Sequence, residues 1–297
     1  MAGASPFLPA RRAWIPYLCL LPATLLVAAV LMVPIGETCI NAFCTLDRYA
    51  NRTGFAGLRN FRVTLEDTEF RYAFWNTMVW TTAVVVLTLG ISLVASLFLN
   101  RRFVLRPVAR AILILPWASS LVISAIVWRY IFDGEVGPVN AWLIQSGLVS
   151  EPIYWLAQRD TSFPVMIGVA VFVSIPFTTT VFLAGLQAIP RDLYEAAKVD
   201  GASAVRSFLS ITVPHLREVF AIATVINVIY VFNSFPIVWT MTGGGPANTT
   251  DIIMTHLYKR AFTDKQFAVA SAEAVIVFAV LMAFSVTYSI LLRRRGD

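Results

Sequence analysis

The residues that could carry metal or nucleophilic chemistry are few and scattered in this chain. Its two histidines, His215 and His256, lie far apart without the spacing of metal ligands. An intramembrane serine protease needs a buried Ser–His pair, but both histidines fall in connecting segments. Three cysteines, Cys19, Cys39 and Cys44, do not make a disulfide framework, although a local bridge between the last two stays open. We therefore expect neither a catalytic site nor a metal site.

A glycine-rich run, Thr242–Pro246, is the stretch that could suggest phosphate binding. An ATP-binding loop of the form G-x-x-x-x-G-K-[ST] offers backbone N–H groups, a lysine and a hydroxyl that binds Mg²⁺. The run lacks the lysine, so we interpret it as a flexible turn. The sequence predicts no ATPase motif and no cofactor in this chain.

The most informative stretch is Arg191–Leu216, RDLYEAAKVDGASAVRSFLSITVPHL. Leu193, Ala196 and Ala197 recur at the spacing of one helical face. Gly201 follows, and glycine readily adopts the positive φ that ends a helix. The pattern predicts a short helix that ends in a bend.

A second short helix is predicted after that bend. Ser203 is a suitable N-cap, and Pro214 is expected to stop the helix. Between them, one apolar stripe is formed by Val205, Phe208, Leu209 and Thr212. An amphipathic helix–turn–helix between membrane spans needs a partner, which could be lipid, the protein's own spans or another subunit.

The spacing of this stretch resembles the EAA loop of ATP-binding-cassette (ABC) importer permeases. The matching residues are Glu195, Ala196, Ala197, Asp200, Gly201, Phe208 and Pro214. The resemblance implies a coupling helix that docks in a cleft of a separate ATPase and passes nucleotide-driven motion to the spans. In that role Glu195 is the polar anchor, the two alanines allow close approach, and Asp200 fixes the bend at Gly201 by bonding to nearby backbone.

One position departs from the family pattern. The family often has a second proline four residues after the first, where this chain has Glu218. We expect the start of the following helix to be less kinked, or Glu218 to pair with Arg217 or with an ATPase residue.

The composition indicates a membrane protein. Of 297 residues, 58% are hydrophobic and 13% are charged, against about 25% charged in soluble proteins. The net charge of +6 does not indicate nucleic-acid binding, because the arginines cluster beside apolar runs as topology signals do. We predict an all-α integral membrane protein.

Six apolar runs are long enough to span a bilayer, which takes about 20 residues. They are 14–36, 74–99, 111–132, 163–186, 219–240 and 268–292, with tails 1–13 and 293–297 and the coupling loop 191–216. Lys and Arg number 13 in the 60 residues of the segments expected inside, against 10 in the 100 residues expected outside. This bias predicts that both termini and the coupling loop are cytosolic.

Two longer stretches narrow the resemblance. Ile175–Ala202 and Trp239–Asp251 are similar to the carbohydrate-importer branch, and GFAGLRNF (Gly54–Phe61) is a weaker match. The resemblance implies a type I importer permease in a bacterial inner membrane that works by alternating access. It implies a second, different permease, two ATPase subunits or domains that bind ATP and Mg²⁺, and an extracytoplasmic substrate-binding protein.

Polar and aromatic side chains of the fifth span are candidates for the substrate path. Polar groups in a span usually face the bundle interior or a water-filled cavity. The candidates are Asn227, Tyr230, Asn233, Phe235 and Trp239. Amides and aromatic rings suit a sugar, but hydrogen bonds between helices and ordinary packing explain the same residues.

Glu273 is the one acidic residue inside a predicted span. Pairing with Arg129 competes with a role in the substrate path. The alternative function for the whole chain is an ion-coupled carrier or channel-like six-span protein with no ATPase partner, which would not need an EAA-type loop. The sequence does not indicate which sugar is carried.

Overall fold

Helices make up almost all of the regular structure. The computed structural model describes residues 15–293, so the predicted tails lie outside the described residues except for Arg293. The described chain forms two compact units, one of residues up to 64 with 260–278 and one of residues 65–259 with those from 279 onward.

The first unit begins with helix α1 (Ile15–Ala42) and continues into an antiparallel hairpin of β1 (Cys44–Leu46) and β2 (Arg52–Phe55). The sequence predicted only helices, so this short hairpin was not predicted. The buried side chain of Asn60 donates to the carbonyls of Ala42 (2.9 Å) and Cys44 (2.8 Å), which holds the hairpin to the end of α1. Cys19, Cys39 and Cys44 are free thiols.

Groups of shorter helices separate the long helices in the rest of the chain. In order they are α2 (Arg59–Glu66), α3 (Thr68–Asn100), α4 (Arg106–Ala118), α5 (Leu121–Ile131), α6 (Pro138–Gln145), α7 (Arg159–Ala188), α8 (Arg191–Val199), α9 (Ala204–Ser207), α10 (Val213–Phe232), α11 (Phe235–Met241), α12 (Ile253–Tyr258) and α13 (Phe267–Arg293). Two π-helical segments join them, Phe208–Thr212 before α10 and Lys259–Thr263 after α12.

Five of the described helices are long and apolar enough to cross a membrane. The pair α4–α5 passes the same test when taken together, which brings the count to six. The two helices of this pair meet at an angle of 96°.

This bend differs from the continuous helix predicted over 111–132. The backbone is extended at Ser119 (ψ 153°) and Ser120 (ψ 140°), between the two helices. The Ser119 hydroxyl donates to the carbonyl of Pro116 (2.9 Å) and lies 2.7 Å from the Ser124 hydroxyl. Serine side chains that bond to nearby backbone compete with the helix, which explains why it ends here.

The fifth span is also broken, whereas the prediction was one helix over 219–240. α10 ends at Phe232, and α11 begins three residues later. Pro236 provides the reason, because a proline has no N–H to donate and its ring clashes with the carbonyl four residues earlier. That carbonyl belongs to Phe232, where the helix stops.

The core of the second unit lies among α3, α5, α7 and α11. Trp80, Met166 and Val238 are fully buried in one apolar cluster. The Trp80 indole donates to the carbonyl of Val231 (3.2 Å), just before the break in the fifth span. Close packing also relies on Gly185, where a Cβ would crowd Val219 of α10.

Candidate functional site

The first limb of the predicted coupling loop is α8. Glu195 and Ala196 are exposed on it, and Ala197 is half-buried. The helix ends in a Schellman motif, in which Ala202 N–H donates to Ala197 O (2.8 Å) and Gly201 N–H donates to Lys198 O (3.2 Å). Gly201 has a φ of +73°, as predicted from its residue type.

The bend is therefore closed by backbone groups. The side chain of Asp200 was expected to fix it, but within residues 15–293 that side chain makes no hydrogen bond and is exposed. The Asp200 N–H donates to Ala196 O (3.0 Å) instead. The Asp200 carboxylate is left available on the surface.

The second limb of the coupling loop begins as predicted, but it does not end at the predicted residue. Ser203 caps α9 by accepting from the N–H of Arg206. Pro214 does not stop the helix, because the backbone passes through a π-helical turn, in which Val213 N–H bonds to Phe208 O, and continues as α10. The five-residue spacing shifts the ladder at the point where Pro214 has no N–H to offer.

Glu218 lies inside α10, which shows no break there. This agrees with a helix start that is less kinked than the family pattern. Glu218 and Arg217 are both exposed, and they form no ion pair within residues 15–293.

The two limbs are joined to each other and to the spans. The Tyr194 hydroxyl lies 2.8 Å from the Thr212 hydroxyl, which connects α8 to the π-helical turn. Tyr194 and Ile211 also pack on a buried cluster centred on Leu186 and Leu216, at the ends of α7 and α10. The loop is thus fixed at its base.

The outer surface of the loop is uncovered. Thr212 is buried and Phe208 is half-buried, so half of the predicted apolar stripe faces the chain itself. Val205 and Leu209 are 68% and 59% exposed, and Val199 in the bend is 88% exposed. Exposed apolar groups beside charged ones are typical of an interaction surface.

The predicted substrate-path residues fall into two groups. The first lines a cavity of about 170 Å³ formed by Trp117 of α4, Ser174 and Phe177 of α7, and Asn227 and Tyr230 of α10. Trp117 and Phe177 were missed by the sequence reasoning. Each directly follows a proline inside a helix, which is the signal that could have found them.

Asn227 is buried and largely satisfied within the chain. Its amide nitrogen donates to the Thr178 hydroxyl (3.0 Å) and to Ala223 O (2.8 Å). This geometry accounts for Asn227 by contacts between α7 and α10. Tyr230 is 44% exposed and lines the cavity beside it.

The second group surrounds the break in the fifth span. Phe235 stacks on Trp239 at 5.4 Å, and Tyr258 of α12 contacts both rings. Asn233 is exposed, and its side chain donates to Ile229 O (2.8 Å). Irregular backbone at membrane depth is tolerated where it is buried in protein or lines a water-filled cavity.

Glu273 of α13 is 1% exposed. Arg129, its predicted partner, donates from Nη1 to the carbonyl of Thr240 (3.1 Å). Pairing of Glu273 with Arg129 stays a prediction.

The glycine-rich run belongs to a highly bonded loop, Thr242–Asp251, which we call the glycine loop. Gly243 and Gly244 adopt φ of +60° and +85°. Asp251, 3% exposed, accepts from Lys259 Nζ (2.8 Å) and from the Thr255 hydroxyl (2.8 Å). Sequence reasoning predicted a flexible turn and missed this arrangement.

A side chain of α3 completes that loop. The buried amide of Asn76 donates to the carbonyls of Thr249 (3.0 Å) and Asp251 (2.9 Å). A Cβ at Gly244 would overlap the Asp251 carboxylate, so this position requires glycine for space as well as for φ.

Residues 88–296 match the family described as the inner membrane component of binding-protein-dependent transport systems. The chain belongs to this family. A probable ABC transporter permease of Brucella suis biovar 1 is 46% identical to this permease over 92% of its chain and 95% of the relative. The trehalose/maltose transport permease MalF of Thermococcus litoralis is 33% identical over 97% and 96%.

Solved structures agree on the fold. The permease superposes on a chain of a bacterial ABC transporter that imports alginate, with a TM-score of 0.86 and 24% identity, over 97% of this chain and 98% of that one. A second structure of an alginate transporter, with a sugar-bound periplasmic protein, gives a TM-score of 0.84. The predicted all-α, type I importer permease fold is confirmed.

The comparisons also decide between the two predicted functions. An ABC importer permease in the inner membrane is confirmed, and a carrier or channel without an ATPase is not supported. The permease is the inner membrane subunit of a transport system that depends on a binding protein. The roles of individual residues stay predictions.

Proposed function

We propose that this permease forms, with a second and different permease, the alternating-access path for a sugar or sugar-like solute. The observation that carries the proposal is the coupling loop, whose Glu195, Ala196 and Asp200 are exposed while its base is fixed to two spans. Movement of α8 would pass through the Tyr194–Thr212 contact into α7 and α10.

The ATPase is a separate subunit in this proposal. The chain has no G-x-x-x-x-G-K-[ST] sequence, so ATP and Mg²⁺ are bound by the partner and this chain holds no cofactor. The Lys and Arg bias supports cytosolic termini and a cytosolic coupling loop. Reporter fusions at the C-terminus test that orientation, and an external C-terminus would contradict it.

The substrate class rests on relatives and on side-chain types. The similar permeases include those for trehalose/maltose, for sulfoquinovosyl glycerol in Agrobacterium fabrum and for sn-glycerol-3-phosphate in Yersinia pestis. The substrate path we propose comprises Asn227, Tyr230, Asn233, Phe235, Trp239 and Glu273. A thermal-shift screen of the partner binding protein against a sugar panel identifies the solute.

Glu195→Lys tests the coupling role directly. Replacing the anchor by a like-sized cation removes a charge-assisted contact and should lower ATP-driven uptake by at least about tenfold. Glu151→Lys makes the same charge change at an exposed site far from the loop in sequence, and it should leave uptake unchanged. Equal uptake in both variants would contradict the proposal.

Glu273 is tested by removing its charge. Because a substrate-path carboxylate contributes through its charge, Glu273→Gln should lower uptake while the amount of assembled complex stays constant. Unchanged uptake would remove Glu273 from the path.

A further inference from the structure

Four arginines around the α3–α4 connection form a cluster without acidic neighbours in sequence: Arg101, Arg102, Arg106 and Arg110. The sequence contains no Asp or Glu between Glu69 and Asp133. Within residues 15–293, none of the four forms an ion pair. A concentration of unpaired positive charge of this kind attracts anions.

The connection between these two candidate spans is short. Residues 101–105 join α3 to α4, and both helices belong to candidate spans. Five residues reach at most about 18 Å when fully extended, so a loop that leaves and returns rises about half as far. The headgroup layer is about 5–8 Å deep on each side. The four arginines therefore stay close to the ends of two candidate spans, within reach of lipid headgroups.

Apolar residues alternate with these arginines. Val104 is 96% exposed and Leu105 is 65% exposed, and Val108 and Ile112 continue an exposed apolar surface along α4. Cationic and apolar side chains at one depth suit a molecule with an anionic head and hydrocarbon chains.

Arg106 and Arg110 form the centre of the cluster. They lie one turn apart on α4, at i and i+4. Two like charges at this spacing destabilise a helix. The Arg106 Nε donates to the carbonyl of Leu99 (2.8 Å), which fixes that side chain. Among the described residues, the Nε and Nη2 of Arg110 are buried and have no hydrogen-bond partner. An anion shared by the two guanidinium groups would relieve this repulsion.

We propose that Arg106 and Arg110, with Arg101 and Arg102 beside them, bind the phosphate of an anionic phospholipid, whose acyl chains lie along Val104, Val108 and Ile112. Guanidinium groups bind phosphate oxygens in a planar, two-bond geometry. This lipid site does not depend on the transported substrate or on the coupling loop.

Native mass spectrometry of the assembled transporter, incubated with phosphatidylglycerol or phosphatidylcholine, tests the site. The wild type should retain phosphatidylglycerol, and Arg106→Gln/Arg110→Gln should bind it about 30-fold more weakly. The control Arg48→Gln/Arg71→Gln removes the same charge from exposed arginines outside the cluster and should bind it normally. Retention of phosphatidylglycerol by the first variant at the wild-type level would overturn the proposal.

Further measurements separate the alternatives. Arg106→Lys/Arg110→Lys keeps the charge that orients the spans, so it should fold and show intermediate binding even if the glutamine variant does not assemble. Inorganic phosphate should not displace the lipid, because it lacks acyl chains; full displacement would overturn the proposal. Loss of the ATPase with unchanged lipid binding would assign the cluster to the ATPase and overturn it as well.

Discussion

The coupling loop and the glycine loop use their polar residues in opposite ways. The coupling loop is closed by backbone bonds around Gly201 and leaves Glu195 and Asp200 exposed. The glycine loop turns its side chains inward, so that Asp251 is buried against Lys259. Both loops contain glycines with positive φ. The carboxylate of Asp251 has its partners within this chain, whereas those of Glu195 and Asp200 are left exposed.

This difference distinguishes an exposed surface that another subunit can bind from a loop whose polar side chains are bonded within the chain. Exposed charged and apolar groups on a fixed base can be covered by another subunit without reshaping the spans. The buried Asp251 network instead holds the segment after α11 to Asn76 of α3. Changes in the first loop should affect coupling, and changes in the second should affect stability.

The largest effect on stability is expected from Asp251→Ala. It removes the buried carboxylate that accepts from the Lys259 ammonium and the Thr255 hydroxyl, leaving Asn248 Oδ1 and Ile252 O as their remaining acceptors, and breaking such a buried pair costs about 3 kcal/mol. Thermal unfolding of the purified complex in detergent measures this loss. Asp264→Ala is the control, because Asp264 is 47% exposed and lies 4.0 Å from Arg260, so this contact should contribute less than about 1 kcal/mol. Equal losses would mean that burial of Asp251 does not matter.

Gly244→Ala should have the next largest effect. A Cβ there would overlap Asp251, whereas a Cβ at Gly243 comes no closer than 4.0 Å to the nearest atom, Trp239 O. Both substitutions carry the cost of positive φ, about 1–2 kcal/mol. Gly244→Ala should therefore be more destabilising than Gly243→Ala in the same unfolding assay, and the reverse order would refute the proposed contact.

Gly201→Ala separates a loss of coupling from a loss of stability. At Gly201 (φ +73°) and at Gly147 (φ +68°), an added Cβ would meet no atom of the described residues within 4 Å. Alanine should thus cost about 1–2 kcal/mol of stability at either position, through the positive φ alone. Only the change at Gly201 alters the coupling surface, so only that variant should lose uptake at matched protein levels. If Gly147→Ala lowers uptake equally, the loss reflects stability alone.

Tyr194→Phe should give the smallest effect. It removes the contact with the Thr212 hydroxyl while the ring keeps its packing, a loss of about 1 kcal/mol. We expect ATP hydrolysis to continue with less solute carried per ATP. Comparing Tyr194→Phe and Thr212→Val with the double variant checks the pair, and full additivity would exclude a direct contact.

Local sequence signals predicted the coupling loop well. Gly201 and Ser203 act through their own backbone and neighbouring residues, so the bend and the cap followed from residue type. The role of Pro214 was not predictable in this way, because a π-helical turn takes up the missing N–H and lets the helix continue. The exposure of Asp200 likewise depends on the Schellman bonds around it.

Long-range contacts set the remaining features. Asn76 meets Asp251 across a large separation in sequence, and no local pattern indicates this pairing. The breaks at Ser119 and Phe232 had visible prolines nearby, but hydropathy alone favoured continuous spans. The cavity beside Tyr230 combines side chains of three helices, so its aromatic lining required the packed structure.

Hydrogen–deuterium exchange of the two assembled permeases, with and without the ATPase, tests the central claim most directly. We predict that binding of the ATPase slows hydrogen exchange in residues 191–212 of the coupling loop. Exchange in the glycine loop should stay unchanged. Unchanged exchange in residues 191–212 on addition of an ATPase that binds the complex would contradict it.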